Sequence, residues 1–261
     1  TGIAKFGNLI NIDLVMDLLE CLKSLLASSV GESTPTSSTS HSKNSNLSFQ
    51  GVVQCLIAVF DILRNHHGVV DVDLMEYYTT MYEAINQMAS MDNVRYVGLV
   101  IRCLSGMLMV PNLPKQRVLA FCKRLLMASL HLPPYAALGV MHLVNRVGSR
   151  YPYVSDLFDS EEGGQSGISG YQMELPDPDH ANASQAVGWE STLVGSSYHP
   201  YCASYARDCL IKRQVPKVLL AQTPNSLVNQ YDDSEGGFNP PLSLESEGSG
   251  SSNKKEARRV A

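Results

Sequence analysis

The residues of this chain best suited to chemistry are its seven histidines, its six cysteines and the acidic stretch Asp177-Pro178-Asp179-His180. Their spacing assembles no reaction centre. His66 and His67 are adjacent at the expected end of a helix, where neighbouring side chains diverge and cannot share a metal ion. An imidazolium there suits the helix dipole, so the pair reads as a C-terminal cap. Asp177, Asp179 and His180 could hold a cation loosely, but no ligand pattern of a metal site accompanies them. The sequence has no Gly-rich phosphate loop, G-x-S-x-G elbow, H-E-x-x-H helix or Cys–His nucleophile arrangement. Gly163-Gly164 and Gly167 have no strand before them and no helix directly after. The expectation is no catalytic residue, no metal and no cofactor.

Cys21, Cys55, Cys103, Cys122, Cys202 and Cys209 each lie in or beside an apolar run, and no two form a C-x-x-C pair. They read as reduced thiols of the core. With that cysteine usage, the glycosylation patterns at Asn46-Leu47-Ser48 and Asn182-Ala183-Ser184 read as accidental. The methionines at 75, 81, 88, 91, 107, 109, 127 and 141 recur at helical spacing and read as core filling rather than as an adaptable groove.

Trp189 is the only tryptophan, and it lies between the acidic stretch and the turn Tyr198-His199-Pro200. A large apolar ring with one N–H to satisfy suits an anchor. Trp189 and His199 are therefore expected to dock the acidic segment onto the last helices, as structural elements. At a well-packed site Trp→Ala costs about 3–5 kcal/mol.

The elements that must carry these residues are helical. Leu14, Val15, Leu18, Leu19, Leu22, Leu25 and Leu26 form one stripe at steps of three and four; Val52, Val53, Leu56, Ile57, Phe60 and Leu63 form a second. Asp73 with Glu76 resembles a capping box ahead of Leu74, Tyr77, Tyr78, Met81, Tyr82, Ile85 and Met88. Val94 to Val110 is apolar on nearly every side, as in a helix packed between neighbours. Pro111 and Pro114 close it and open a fifth run through Val118, Phe121, Cys122, Leu125 and Leu126. Pro133-Pro134 suits the start of a sixth, through Ala137, Val140, Met141 and Val144. No alternating strand pattern of useful length occurs. Short connectors force antiparallel neighbours, and two helices recur at roughly the spacing of HEAT and armadillo units. The expected fold is all-α, a right-handed stack of antiparallel helical hairpins over residues 6–213; with no repeat visible in the sequence, a helical bundle would read similarly.

Polar, glycine- and serine-rich inserts at 29–48 and 159–170, and a tail over 214–261, are expected to be disordered, since they bury too little apolar area to offset ordering entropy. The chain begins at Thr1 in mid-pattern and reads as a fragment or processed product. The longest apolar stretch is interrupted by Arg95 and Arg102 and falls short of the ~20 residues of a membrane span. A net charge of −5 speaks against a broad grip on nucleic acid, which needs clustered cations.

Three stretches together resemble the CCAAT-binding-factor-type domain of nucleolar complex proteins. They are Tyr171 with Pro176-Asp177-Pro178-Asp179-His180-Ala181-Asn182-Ala183, then Trp189-Glu190, then Tyr198-His199-Pro200. That family carries an acidic D-P segment leading to Asn-Ala, a Ser-Leu-Trp-Glu-Leu core and a His-Tyr-His-Pro turn. Here Val187-Gly188 stands before the tryptophan, Ser191 after the glutamate, and Ser197 in place of the first histidine. Upstream, Asn11-Ile12-Asp13-Leu14-Val15 and Val70-Asp71-Val72-Asp73-Leu74 with Tyr77-Tyr78 and Met81-Tyr82 resemble the nucleolar complex protein 3 branch.

The resemblance implies a non-catalytic helical scaffold of the nucleolus and nucleoplasm. It would act in assembly and intranuclear transport of pre-60S ribosomal particles, as a heterodimer with nucleolar complex protein 2. RNA contact would be weak or indirect. The alternative it carries is a chromatin-associated factor in initiation of DNA replication, although no basic recognition helix is present to read DNA. Asp177, Asp179, Asn182, Trp189, Glu190, Tyr198, His199 and Pro200 are the implied structural or interface residues.

Overall fold

Each apolar stripe becomes a helix in the computed structural model, which describes residues 12–30, 47–65, 73–158, 170–232, 237, 238 and 240. The long helices are α1 (Ile12–Val30), α2 (Phe49–Asn65), α3 (Met75–Met88), α4 (Val97–Leu108), α5 (Lys115–Ser129) and α6 (Pro134–Arg150). Shorter ones follow: α7 (Glu190–Gly195), α8 (Pro200–Ser204), α9 (Lys217–Leu220) and α10 (Pro224–Val228). The only strands among the described residues are the pair Tyr231–Asp232 and Gly237–Phe238, antiparallel and two residues each. The protein is all-α in class. The inserts expected at 29–48 and 159–170 fall mostly outside the described residues, as do His66, His67 and the segment from Pro241 onward.

Local chemistry sets the helix ends. Pro133 is extended and Pro134 occupies the first turn of α6, where a missing N–H has no intrahelical acceptor to lose. The run from 94 to 110 divides into a 3₁₀ turn, Val94–Tyr96, and α4. Asn112 takes a left-handed φ of 63° in the turn to α5, a conformation asparagine tolerates better than most residues. The capping box expected at α3 does not form: Leu74 is the N-cap, Asp73 accepts from the Met75 N–H two residues on at 3.0 Å, and Glu76 turns away to Lys23 of α1, also at 3.0 Å.

Neighbouring helices meet as α1 on α2, α2 on α3 and α5 on α6; alternate helices also pack, α2 on α4, α3 on α5 and α4 on α6. The centre holds Tyr77, Met81, Tyr82, Ile85, Leu104 and Phe121, all fully enclosed. Edge-to-face rings tie three helices together, with centroids 5.6 Å apart for Phe60–Tyr78, 6.2 Å for Tyr78–Phe121 and 5.2 Å for Tyr82–Phe121. Met81, Met88, Met107 and Met141 fill this core, whereas Met91 is 94% exposed and departs from the expected role.

The folded part does not stop at Arg213. α10 packs on α6 and α4, and Leu219 and Leu227 are completely buried. Gly139 permits the approach, because a Cβ there would lie 2.4 Å from the Val228 side chain. Thr223 and Ser226 cap α10 reciprocally. The boundary expected at 213 is thus too early: residues 214–228 lack a long apolar stripe, yet a few apolar contacts suffice to seat them.

Candidate functional site

Gln116-Arg117 and Lys123-Arg124 recur seven residues apart, which places both pairs on one face of α5. Side chains of this kind on a helix ordinarily face water. Here the segment 171–190, which contains the acidic motif, lies across them. α5 is consequently covered on both sides, by the apolar core and by a clamp of polar bonds.

At the start of α5, the Arg117 guanidinium grips Asp179 with two bonds, Nε to Oδ1 at 2.9 Å and Nη2 to Oδ2 at 2.6 Å, and stacks 4.4 Å from the Tyr78 ring centre. Such a fork is stronger and more directional than a neutral bond. Asp177 orders the turn by accepting from the Asp179 N–H at 2.9 Å and from His180 Nδ1 at 2.5 Å. Burial raises the Asp177 carboxyl, but the His180 and Asp179 hydrogen bonds with Arg117 hold it below its ordinary value. Asn182 takes a left-handed φ of 52° that turns the chain into a short 3₁₀ helix. There Gln116 clasps Ser184 from both sides, donating to its hydroxyl at 2.9 Å and accepting its N–H at 3.1 Å.

One turn pair further along, Arg124 donates to the carbonyls of Tyr82 at 2.9 Å, Met173 at 2.6 Å and Leu175 at 3.3 Å, joining α3 to the motif segment. Its neighbour Lys123 donates to Glu190 Oε1 at 2.5 Å and to the Val187 carbonyl at 2.7 Å. The two side chains of this ion pair are 4% and 0% exposed. Burial pulls the Lys123 ammonium below its ordinary pKa, opposed by the Glu190 carboxylate. The second oxygen, Glu190 Oε2, is buried and has no partner among the described residues.

Trp189 is not the buried anchor its type suggested: it is 51% exposed. The reason lies one residue back. Gly188 donates its N–H to the Leu157 carbonyl, and a Cβ there would stand 2.9 Å from that oxygen. The chain is pressed onto the body at Gly188, so the next side chain leaves the surface and the one after, Glu190, enters it. The indole stays over the clamp, with Lys123 Nζ 5.0 Å from its ring centre. Tyr198 is 87% exposed. Pro200 begins α8, while the half-buried His199 ring lies 5.8 Å from both Tyr201 and Phe238. Burial lowers the His199 pKa, and its Nδ1 has no partner among the described residues.

A second polar network escaped sequence reasoning. His142 of α6 is buried, with Nε2 3.1 Å from the Gln222 carbonyl and Nδ1 2.8 Å from the Tyr205 hydroxyl. A carbonyl can only accept, so Nε2 carries the proton and Nδ1 accepts from Tyr205. The Tyr205 oxygen then receives the Asn145 amide at 3.3 Å. Tyr205 opens a π-helical stretch, Tyr205–Ile211, continuous with α8. The network joins α6, this stretch and the chain leading into α10.

Cys103, Cys122, Cys202 and Cys209 are buried free thiols; burial pushes Cys122, Cys202 and Cys209 up to about 12. Cys55 is half-buried, and Cys21 is exposed on α1, which corrects the core reading for that residue. Among the described residues no group of three His, Cys, Asp or Glu is placed to hold a metal ion, and no helix is long and apolar enough to cross a membrane.

The motif docked on α5 has a counterpart in known proteins: the profile of the CBF/Mak21 family matches residues 52–206, and the chain belongs to that family. Along nearly its whole length it is similar to a nucleolar complex protein 3 homolog of Homo sapiens, 28% identical over 249 residues covering 92% of this chain. It is also similar to nucleolar complex protein 3 of Drosophila melanogaster, 25% identical over 251 residues and 93% of this chain. The nucleolar complex-associated protein 3 of Saccharomyces cerevisiae is 24% identical over 226 residues, 76% of this chain. The alignments span 29%, 28% and 32% of these relatives, so the chain corresponds to under a third of their length.

Proposed function

We propose that the chain is a non-catalytic helical scaffold in assembly and intranuclear transport of the pre-60S ribosomal particle, in the nucleolus and nucleoplasm. It acts through a heterodimer partner, nucleolar complex protein 2. The observation that carries this reading is the family match over 52–206, together with similarity to proteins named as nucleolar complex components. The fold supports it physically. Pairwise packing of successive and alternate helices suits a right-handed stack of hairpins, an architecture that offers extended surface for partners. Asp177, Asp179, Asn182 and Glu190 hold the motif in place. Trp189, Leu193 and Tyr198 stay exposed beside it and supply the apolar and aromatic contacts that interface centres favour.

The test is sedimentation of nuclear extract on a sucrose gradient, with and without the partner. The protein is expected to travel with pre-60S particles and to leave that peak when the partner is depleted. A double variant, Trp189→Ala with Tyr198→Ala, should leave the peak while keeping its melting temperature. Retention without the partner, or pelleting with chromatin after RNase treatment, would overturn the reading.

A further inference from the structure

A cavity of about 540 Å³ opens between α2, α4 and α6, away from every motif residue, and three arginines from three helices converge on it. They are Arg64, Arg102 and Arg146. One carboxylate, Asp61, faces them. It reaches Arg64 Nη2 at 3.4 Å and Arg102 Nη2 at 3.5 Å, one long contact for each oxygen. Arg146 has no salt bridge among the described residues. Three guanidinium charges against one carboxylate leave a surplus of two positive charges in a concave site, where field lines concentrate. Guanidinium does not lose its proton, so the surplus persists across the physiological range.

A Cβ at Gly106 would lie 2.9 Å from Arg64 Nη2, the flexible end of a side chain that is 57% exposed, so the head rests over α4 at Gly106 without being locked there. Each guanidinium carries five N–H donors, of which the Asp61 contacts engage one on Arg64 and one on Arg102. The lining also includes the partly exposed Met109, Val110 and Pro111, beside the polar Ser105, Thr223 and Asn225. A ligand that satisfies both features carries carboxylates and apolar groups on one short chain. Nucleic acid fits less well. Phe60 is only 5% exposed, which leaves no aromatic face for a base to stack on, and the chain as a whole carries a charge of −5.

We propose that this cavity binds an acidic, partly apolar peptide segment of a partner protein, its carboxylates forked by Arg64, Arg102 and Arg146. That the segment belongs to another protein rests on the scaffold reading; the binding chemistry does not. The probe is a fluorescein-labelled peptide of alternating glutamate and leucine, titrated with the whole chain and followed by anisotropy. A glutamine–leucine peptide and an oligouridylate of equal length serve as comparisons.

The acidic peptide is expected to saturate, and Arg102→Ala with Arg146→Ala to weaken it about tenfold. Asp61→Asn removes the competing carboxylate and should tighten binding, whereas Arg150→Ala, at the end of α6 and outside the cavity, should change nothing. Circular dichroism checks that each variant is folded. No saturable binding, equal loss in Arg150→Ala, weaker binding in folded Asp61→Asn, or binding of the neutral peptide or oligouridylate as tight as the acidic one would each overturn the proposal.

Discussion

Glu190 and Trp189 are adjacent and have opposite fates, and the difference is measurable. Glu190→Ala leaves the Lys123 ammonium buried without its carboxylate, and breaking a buried pair from one side costs about 3–5 kcal/mol. Lys123→Met with Glu190→Leu removes both charges and should recover most of that loss, as urea denaturation of the single and double variants would show. Trp189→Ala removes a ring already half in water and should change stability by under about 0.5 kcal/mol, well below the figure for a packed tryptophan. His142 adds a pH dependence. Burial lowers its pKa from the ordinary 6.5, so below that value the unfolded chain takes up a proton that the native chain refuses. Stability should therefore be full above about pH 6.5 and decline as pH falls toward the folded-state value. His199, lowered by the same cause, acts in the same direction. Denaturation midpoints between pH 8 and pH 5 would check this, with His142→Gln flattening part of the slope.

Among the elements, α5 shows what periodicity conveys and what it omits. The stripe Val118, Phe121, Cys122, Leu125 and Leu126 marks its core face, and all five are buried. The opposite face carries Gln116, Arg117, Lys123 and Arg124, and cations on a helix ordinarily mean solvent. Their seven-residue recurrence was the available signal, but only the tertiary path of 171–190 turns it into a clamp. The acidic motif was expected to reach the last helices through Trp189 and His199, but its bonds run from Asp179, Ser184 and Glu190 to α5; those partners were not legible, because a carboxylate does not specify which of many arginines it meets. For α9 and α10 the failure was of length. Helices of four and five residues show no usable period, yet Leu219, Pro224 and Leu227 are buried. Burying each such side chain is worth about 1.5–3 kcal/mol. A chain ending at Arg213 should thus lose several kcal/mol and melt earlier, as calorimetry of the truncated and full chains would reveal.

For the molecule as a whole, the all-α class followed from six stripes of helical period and from the lack of an alternating strand pattern of useful length. What lay beyond the sequence was how that body receives its last third. Residues 171–230 contain only short helices and are held by polar bonds to α5 and α6 and by buried side chains such as Leu219 and Leu227, an order that emerges only once those helices exist. The enclosure of Lys123 by that segment has a practical consequence. An amine-reactive ester added to the native protein should modify Lys115, Lys212 and Lys217, whose amines reach solvent, and spare Lys123. The rate at which Lys123 acquires the tag then times the departure of residues 171–190 from the helix beneath them. Mass spectrometry of one peptide would thereby report whether a bound partner tightens or loosens that closure.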